Sequence, residues 1–224
     1  LLSSLAGAPH TVWLEPAFTF RLIEQDVYFE LVGDIDTLYL DWGDGTQELI
    51  TQEMFENRLE HLYANPGGHF VSISGATLDK IERVSFAYAY GSTSEMSVEY
   101  LTGLKDFTAT FTDTPSTIDL SHNLLLERIY ISISDIVELD VSHNPRLRYV
   151  SMFGNMNFSV PSLNALIHHL YTTAVQYNRT NGVFEAHSFP SSFDVFIGPP
   201  SSEALDELRI LRDAYDWEIY PSDF

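Results

Sequence analysis

Ile118-Asp119-Leu120-Ser121-His122-Asn123 is followed 21 residues later by Leu139-Asp140-Val141-Ser142-His143-Asn144, the same apolar, acidic and turn-forming residues in the same order. The echo belongs to a finer rhythm. Met96, Phe107, Ile118, Ile129, Leu139 and Val150 stand 11, 11, 11, 10 and 11 residues apart, and Val98, Ala109, Leu120, Ile131, Val141 and Met152 stand two residues after each. Apolar residues separated by a single position share one face of a strand, so each beat is a short strand turned inward. The longer period then covers two beats, and a chain repeating at that interval winds into stacked coils. No such coil buries its apolar edge alone, so the roughly three coils expected over residues 96–157 need caps at both ends.

A repeat of this length with the pattern L-x-x-L-x-L-x-x-N is that of leucine-rich repeats. Leu104, Leu126, Ile136 and Leu147 fill its leading apolar position, while Thr93 and Pro115 interrupt it. Asn123, Asn144 and Asn155 follow the strands, where a side-chain amide can satisfy backbone groups of the turn. These three are expected to be structural.

Composition bounds the rest. A chain of 224 residues with 45% hydrophobic and 13% aromatic content suits one large or two small domains with real cores. Its net charge of −21, with only 11 Lys and Arg, repels phosphate backbones and anionic lipid, which argues against nucleic-acid and membrane-surface binding. A cationic or neutral partner fits better. The absence of cysteine removes disulfides and Cys-ligated metals. No apolar run approaches the ~20 residues of a bilayer-spanning helix. The opening Leu1-Leu2-Ser3-Ser4-Leu5-Ala6-Gly7-Ala8-Pro9 lacks the basic start and the length of a signal peptide.

The first 75 residues are expected to be all-β. Phe18, Phe20 and Leu22, then Val27, Phe29 and Leu31, then Leu38, Leu40 and Trp42 alternate with polar neighbours, predicting three half-buried antiparallel strands. Gly33-Asp34 separates the second from the third, and Asp41-Trp42-Gly43-Asp44-Gly45-Thr46 forms a turn cluster after it. Leu59 to Tyr63, the turn Ala64-Asn65-Pro66-Gly67-Gly68 and His69 to Ser74 predict strand, tight turn, strand.

Trp42-Gly43-Asp44-Gly45-Thr46, followed by His61-Leu62-Tyr63-Ala64-Asn65-Pro66-Gly67 and a Val71/Ile73 strand, resembles the polycystic-kidney-disease (PKD) domain, an immunoglobulin-like β-sandwich, over residues 10–75. That family pairs a WGDG turn with an H-x-Y-x-x-P-G hairpin. The resemblance implies that Asp41, Asp44, His61 and Tyr63 tie the turn to the neighbouring strand, with Trp42, Gly43 and Gly45 structural beside them, and that the module is extracellular and noncatalytic. The spacing departs from the family between Gln47 and Glu60, where Met54, Phe55 and Glu56 suggest a short helix.

Residues 76–95 form the junction, with Leu78 and Ile81 starting an irregular first coil and Ala87-Tyr88-Ala89-Tyr90-Gly91 closing it. A PKD-like module passing directly into 21-residue coils is similar to surface proteins and lipoproteins of Bacteroidetes, and Leu139-Asp140-Val141-Ser142-His143-Asn144-Pro145-Arg146-Leu147 carries that group's wording. It would make the chain the exported part of a longer precursor whose signal and lipid-bearing Cys have been removed, an extracellular or cell-surface protein of the outer-membrane lipoprotein kind.

After Asn157 the rhythm stops. Ser159-Val160-Pro161-Ser162 predicts a helix entry, and Leu163, Leu166, Ile167 and Leu170 give an apolar stripe to about Tyr171. Asn178-Arg179-Thr180-Asn181-Gly182 and Phe189-Pro190-Ser191-Ser192 are loops, and Phe193, Val195 and Ile197 alternate as a strand before Gly198-Pro199-Pro200. Ser201-Ser202-Glu203 caps a second helix carrying Leu205, Leu208, Leu211 and Arg212, and Trp217 to Tyr220 is a last strand.

Candidate chemistry is sparse. His122 and His143 hold equivalent places about 5 Å apart on the strand spacing, within reach of a shared metal, but no third ligand is evident and both fit as copied turn residues. His168 and His169 are adjacent on a helix and point apart. Asp41 and Asp44 come nearest to a calcium loop, yet the structural turn accounts for both. Neither a cofactor nor a bound metal is expected. G-x-S-x-G, H-E-x-x-H, the phosphate-cradling G-x-x-x-x-G-K and a nucleophilic Cys are all missing, and 32 Asp and Glu bury any glycosidase pair in background, so an enzyme is not expected.

The expected fold is a β-rich α+β chain: an immunoglobulin-like sandwich over 1–75, a leucine-rich-repeat solenoid over 76–158 and a helix-strand cap over 159–224. The expected function is noncatalytic binding or adhesion at the cell surface. Its ligand face, for a protein or glycan, is the outward row Asp119, Ser121, Asp140 and Ser142, extended by Ser97 and Glu99. Tyr130, Tyr149 and Phe153 are the nearby aromatic platforms for a sugar. The alternatives are a structural spacer or accessory module of a glycan-capture system, and, further off, an acidic hydrolase.

Overall fold

The computed structural model describes residues 17–23, 26–55, 58–87, 93–112, 115–155, 157–186 and 199–222. Alternation of apolar and polar residues produces the early strands β1 (Ala17–Leu22), β2 (Asp26–Gly33), β3 (Thr37–Asp41), β4 (Gln47–Thr51), β5 (Leu59–Leu62) and β6 (His69–Ser74). Later come β7 (Ile81–Ala87), β8 (Thr93–Ser97), β9 (Asp106–Thr112), β10 (Arg128–Ser134), β11 (Tyr149–Ser151), β12 (Val183–Glu185) and β13 (Glu218–Tyr220). The helices are α1 (Gln52–Phe55), α2 (Val160–Tyr177) and α3 (Ser202–Tyr215). The protein is therefore β-rich α+β, with its described strands in two sheets.

The five-stranded sheet, in the order β4-β3-β6-β1-β8, is antiparallel throughout. Only β3 and β4 pair with a chain neighbour here: β1 and β3 flank β6, whereas β2 lies in the other sheet between β5 and β7. The expected hairpin from Leu59 to Ser74 is corrected in the same way, because β5 pairs with β2 while β6 pairs with β1 and β3. Alternation specifies which face of a strand is buried but says nothing of its neighbour. The two sheets meet through aromatic rings: Phe20 of β1 lies edge-on to Phe29 of β2 and to Phe86 of β7, each at 5.0 Å. Such pairs add to the burial of large apolar surface. The expected short helix is present as α1, which seats Phe55 in the core, while Glu56 lies outside the described residues.

The eight-stranded sheet runs β13-β12-β11-β10-β9-β7-β2-β5. From β7 to β13 every pairing is parallel, and β2 and β5 add antiparallel at one end. Along this ladder Val84 pairs with Phe107, Phe107 with Ile129, Ile129 with Val150, Val150 with Phe184 and Phe184 with Ile219. Five of the six rhythmic positions are buried, and so are all six residues two places on. Met96 is the exception. It is only partly buried and belongs to β8, where it opposes Phe20 antiparallel, so the first beat completes the five-stranded sheet instead of opening a coil. Residues 76–95 likewise supply more than a junction, since β7 is hydrogen-bonded both to β2 and to β9. Strand pairing thus crosses residue 75 in both sheets, and the buried apolar residues from Phe18 to Ile219 form one core.

Between sheet strands the chain turns in a repeated way. Leu101 N bonds to Val98 O, Asn123 N to Leu120 O and Asn144 N to Val141 O, each at 3.0 Å, and Leu104, Leu126 and Leu147 close the following turn. Ile118-Asp119-Leu120 and Leu139-Asp140-Val141 lie on this side, where a single described bridge, Thr117 to Glu138, joins neighbouring coils. Turn residues Ser-His-Asn end the extended run there after three residues, so no ladder develops.

Two helices connect the last three parallel strands, as parallel neighbours require. Ser159 caps α2 through its side chain, Pro161 sits in the first turn, and Asn178 ends it in the left-handed conformation. The helix runs to Tyr177, past the expected end near Tyr171, because Thr173 and Ala174 continue the buried stripe. Ser201 caps α3, which buries Ala204, Glu207, Leu208 and Leu211, while Arg212 stays outside. The strand expected at Phe193, Val195 and Ile197 lies outside the described residues. Among the described residues no helix is long and apolar enough to cross a membrane.

Candidate recognition surface

The Trp42 turn is built from its own side chains. Asp41 Oδ1 accepts from Gly43 N at 2.8 Å, and Asp44 Oδ1 accepts from Thr46 N at 2.9 Å. The other Asp44 oxygen meets His61 Nε2 at 2.8 Å, and the His61 ring stacks on buried Trp42 with centroids 4.8 Å apart. Tyr63 donates its hydroxyl to Trp42 O at 2.8 Å, and Trp42 Nε1 donates to Glu48 at 2.7 Å. The His61 hydrogen bond brings the Asp44 carboxyl down to about 2, while burial pushes the Tyr63 phenol up. Gly43 and Gly45 both have positive φ, +80° and +96°. The Asp41 and Asp44 carboxylates thus bond the turn's own N–H groups, Gln47 and His61.

The asparagines also serve the backbone. Asn123 Nδ2 donates to Val98 O and Leu101 O at 3.0 and 2.8 Å, and Asn144 Nδ2 donates to Leu120 O and Asn123 O, both at 3.0 Å. Asn155 is fully buried on the opposite turn, where it donates to Ile131 O at 2.6 Å and accepts from Ser134 N at 3.0 Å.

The expected ligand face is divided between two sides of the coils. Asp119 and Asp140 lie side by side on the turn side, yet Oδ1 of each accepts from the N–H of the serine two residues on, Ser121 or Ser142, at 2.9 and 2.8 Å. For Asp119 the Ser121 side chain, and for Asp140 the Ser142 N–H, does most to hold the carboxyl below its usual range. These are side-chain turns of the kind Asp forms with its own backbone. Each serine Oγ lies 3.2 or 3.1 Å from Nδ1 of the next residue, His122 or His143. Glu99 is exposed at the first of these turns. His168 and His169 do point to different partners, Glu207 at 2.6 Å and Asn144 O at 3.4 Å, and burial pulls the His169 ring below its ordinary value. Among the described residues no three acidic or histidine side chains are placed to hold a metal.

Tyr130 and Tyr149 lie instead on the open face of the long sheet. Register places Arg83, Asp106, Arg128 and Tyr149 in one row across β7, β9, β10 and β11, and Ser85, Thr108, Tyr130 and Ser151 in the next. Together with Glu30 of β2, most of these line a cleft of about 320 Å³. Asp106 holds both arginines, Arg128 Nε at 3.3 Å and Arg83 Nη2 at 3.5 Å, and the Arg128 guanidinium lies over the Tyr149 ring at 5.2 Å. Lys105 to Glu82 and Arg148 to Glu127, at 2.6 and 3.0 Å, link residues at the starts of neighbouring parallel strands. Exposed pairs of this kind contribute roughly 0–1 kcal/mol each, so they serve alignment more than stability.

The arginines of this cleft are residues the sequence reading missed. Lys105-Asp106-Phe107-Thr108-Ala109-Thr110 and Arg128-Ile129-Tyr130-Ile131-Ser132 carried the signal: they continue alternating with Thr, Tyr and Ile where the Asp-bearing segments stop at a turn. No family model matches the chain, and no curated protein or solved structure matches it either.

Proposed function

We propose that the chain is a noncatalytic cell-surface binding or adhesion protein whose ligand lies on the open face of the parallel sheet. Its carrying observation is the cleft in which Asp106 fixes two half-exposed guanidiniums beside Tyr130 and Tyr149. Polar and aromatic groups held on rigid strands, with donors left over, are what a binding surface needs and a buried core avoids. In this reading residues 1–75 are an immunoglobulin-like sandwich of the PKD kind. Support comes from the Trp42 turn and its His61 and Tyr63 contacts. The parallel ladder is a short leucine-rich-repeat solenoid, supported by the Asn123 and Asn144 bonds at the 21-residue period, with α2 and α3 as its cap.

The noncatalytic part rests on the histidines. Ser121 and Ser142 sit against the rings of their own chain neighbours, His122 and His143, and the aspartates nearby bond those serines and the turn N–H groups instead of orienting the rings. A spacer role draws on a different observation, the single core that joins both sheets into one stiff unit.

The test immobilises the full chain and probes it with arrays of glycans, peptides and extracellular proteins, alongside a hydrolase screen without metal and with Ca²⁺ or Zn²⁺. A ligand that is lost in an Arg83→Ala/Arg128→Ala variant and kept in Asp119→Ala/Asp140→Ala is the expected result. Failure of every array leaves the spacer, and turnover in the screen removes the noncatalytic reading.

A further inference from the structure

The cleft on the long sheet has an unusual balance for this chain. Acidic side chains outnumber basic ones 32 to 11 overall, but the cleft holds two guanidiniums, Arg83 and Arg128, against two carboxylates, Glu30 and Asp106. Locally it has no net sign. A polyanion meets the repulsion of the whole chain and no cationic excess in return, and a cationic peptide meets two guanidiniums. A neutral ligand meets neither cost.

What the cleft does offer is donors, acceptors and ring faces in alternation. The Asp106 contacts use one nitrogen of each arginine, and the side chains remain 49% and 55% exposed, so further N–H donors of both are open. Ser85 and Thr108 add hydroxyls between them, and Tyr130 and Tyr149 add half-buried rings. Stacking under the Arg128 guanidinium fixes the Tyr149 ring in place before any ligand arrives. Beyond the cleft the row is closed over at Ser151, which is fully buried and donates to Glu185 at 2.8 Å. The cleft itself crosses five neighbouring strands, β2, β7, β9, β10 and β11, about 19 Å at the usual spacing.

We propose that this face binds a neutral oligosaccharide laid across the strands, with Arg83, Asp106 and Arg128 bonding its hydroxyls and Tyr130 and Tyr149 packing on its C–H faces. Hydroxyls both donate and accept, which suits a row that alternates guanidinium and carboxylate. The span of the cleft favours a chain of several sugars over a single one. This inference rests on the reading of the open strand face as the binding surface.

Calorimetry of the full chain against neutral gluco-, manno- and galacto-configured hexasaccharides, with hexagalacturonate as the acidic comparator, tests it. At least one neutral hexasaccharide should bind, with affinity little changed by about 0.5 M NaCl. Tyr149→Leu and Arg128→Gln should each weaken it at least about tenfold. Thr108→Arg, which leaves the buried face untouched and fills the cleft, should abolish it in a chain whose melting temperature is unchanged. Binding confined to the acidic comparator and removed by salt overturns the neutral class. Binding of peptides or proteins that depends on Arg128, with every neutral sugar silent, overturns the glycan while the surface reading survives. Ligands of any kind indifferent to Thr108→Arg overturn both.

Discussion

Asn144 Nδ2 donates to the backbone carbonyl of Asn123, and Asn123 makes the equivalent bond to Leu101, one coil earlier. The amide is held for its donors: Oδ1 of both side chains is buried without a partner among the described residues. Replacing Asn144 with Ala removes the second bond of two carbonyls, Leu120 O and Asn123 O, which keep the N–H groups of Asn123 and Leu126, so the loss is that of two ordinary hydrogen bonds at roughly 0.5–1.5 kcal/mol each. Asn144→Ala should therefore lose about 1–3 kcal/mol in urea unfolding. Asn144→Leu, which restores volume without donors, should be no better. Recovery of stability by Leu would show that packing, not hydrogen bonding, sets the position.

Gly43 and Gly45 share a turn but not a reason. A Cβ on Gly43 would stand 2.3 Å from Phe70 O, inside backbone that cannot yield, whereas a Cβ on Gly45 meets nothing within 4 Å. Both residues have positive φ, which costs an L-residue about 1–2 kcal/mol. Gly45→Ala should cost about that much, and Gly43→Ala clearly more, with loss of the Trp42 fluorescence environment. Equal losses at the two sites would mean that the close approach of Phe70 does not matter.

The face each residue turns was legible in the sequence, because side-chain period is a local property. Five of six rhythmic positions, the Ser159 and Ser201 caps and the Trp42 turn all follow from it. Pairing is not local. Phe20 and Phe29 alternate alike yet sit in opposite sheets, and Met96 keeps the beat of Phe107 while pairing antiparallel with Phe20. The site suffered from the same gap. Both halves of each period put apolar residues inward, and only the pairing of β9, β10 and β11 into a ladder reveals which outward row forms a continuous face.

Acid should weaken the Trp42 turn through Asp44. Its carboxyl, ordinarily near 3.8, is held down to about 2 chiefly by the His61 hydrogen bond. A group depressed in the folded state binds its proton more readily when unfolded, so its contribution is complete above about pH 4 and disappears as pH falls toward 2. Solvent screening at this turn limits the effect to the order of 1 kcal/mol. Unfolding free energy measured between pH 4 and 2 should fall less steeply in Asp44→Asn than in the parent chain. Parallel curves for the two would remove the His61–Asp44 pair as the cause.

Ile133, at the end of β10, has φ +50°, a region that a β-branched residue avoids. Its side chain is exposed, so little packing offsets the strain. Ile133→Gly relieves the conformation, and Ile133→Asn suits it better than Ile. Both variants should melt at or above the temperature of the parent. A clear drop would place the stabilising contact in the side chain, whose Cγ1 lies where a Cβ on Gly154 would come within 3.0 Å of it.

Asp119 and Asp140 separate the two sides of the coil experimentally. Each carboxylate accepts a backbone N–H two residues on, a bond that Ala at these positions loses along with the turn it closes. The double Ala variant should therefore lose stability, by about 1 kcal/mol per site, because the freed N–H groups are exposed and water replaces the bond in part. That loss should shrink as pH falls below the usual carboxylate range, since both groups are held ionised by the same bonds and their contribution fades on protonation. Ligand binding on the strand face should not change, because the carboxylates lie on the turn side and touch none of the residues lining the Arg83 and Arg128 cleft. A variant that keeps its melting temperature but loses its ligand would return the binding surface to the aspartate row.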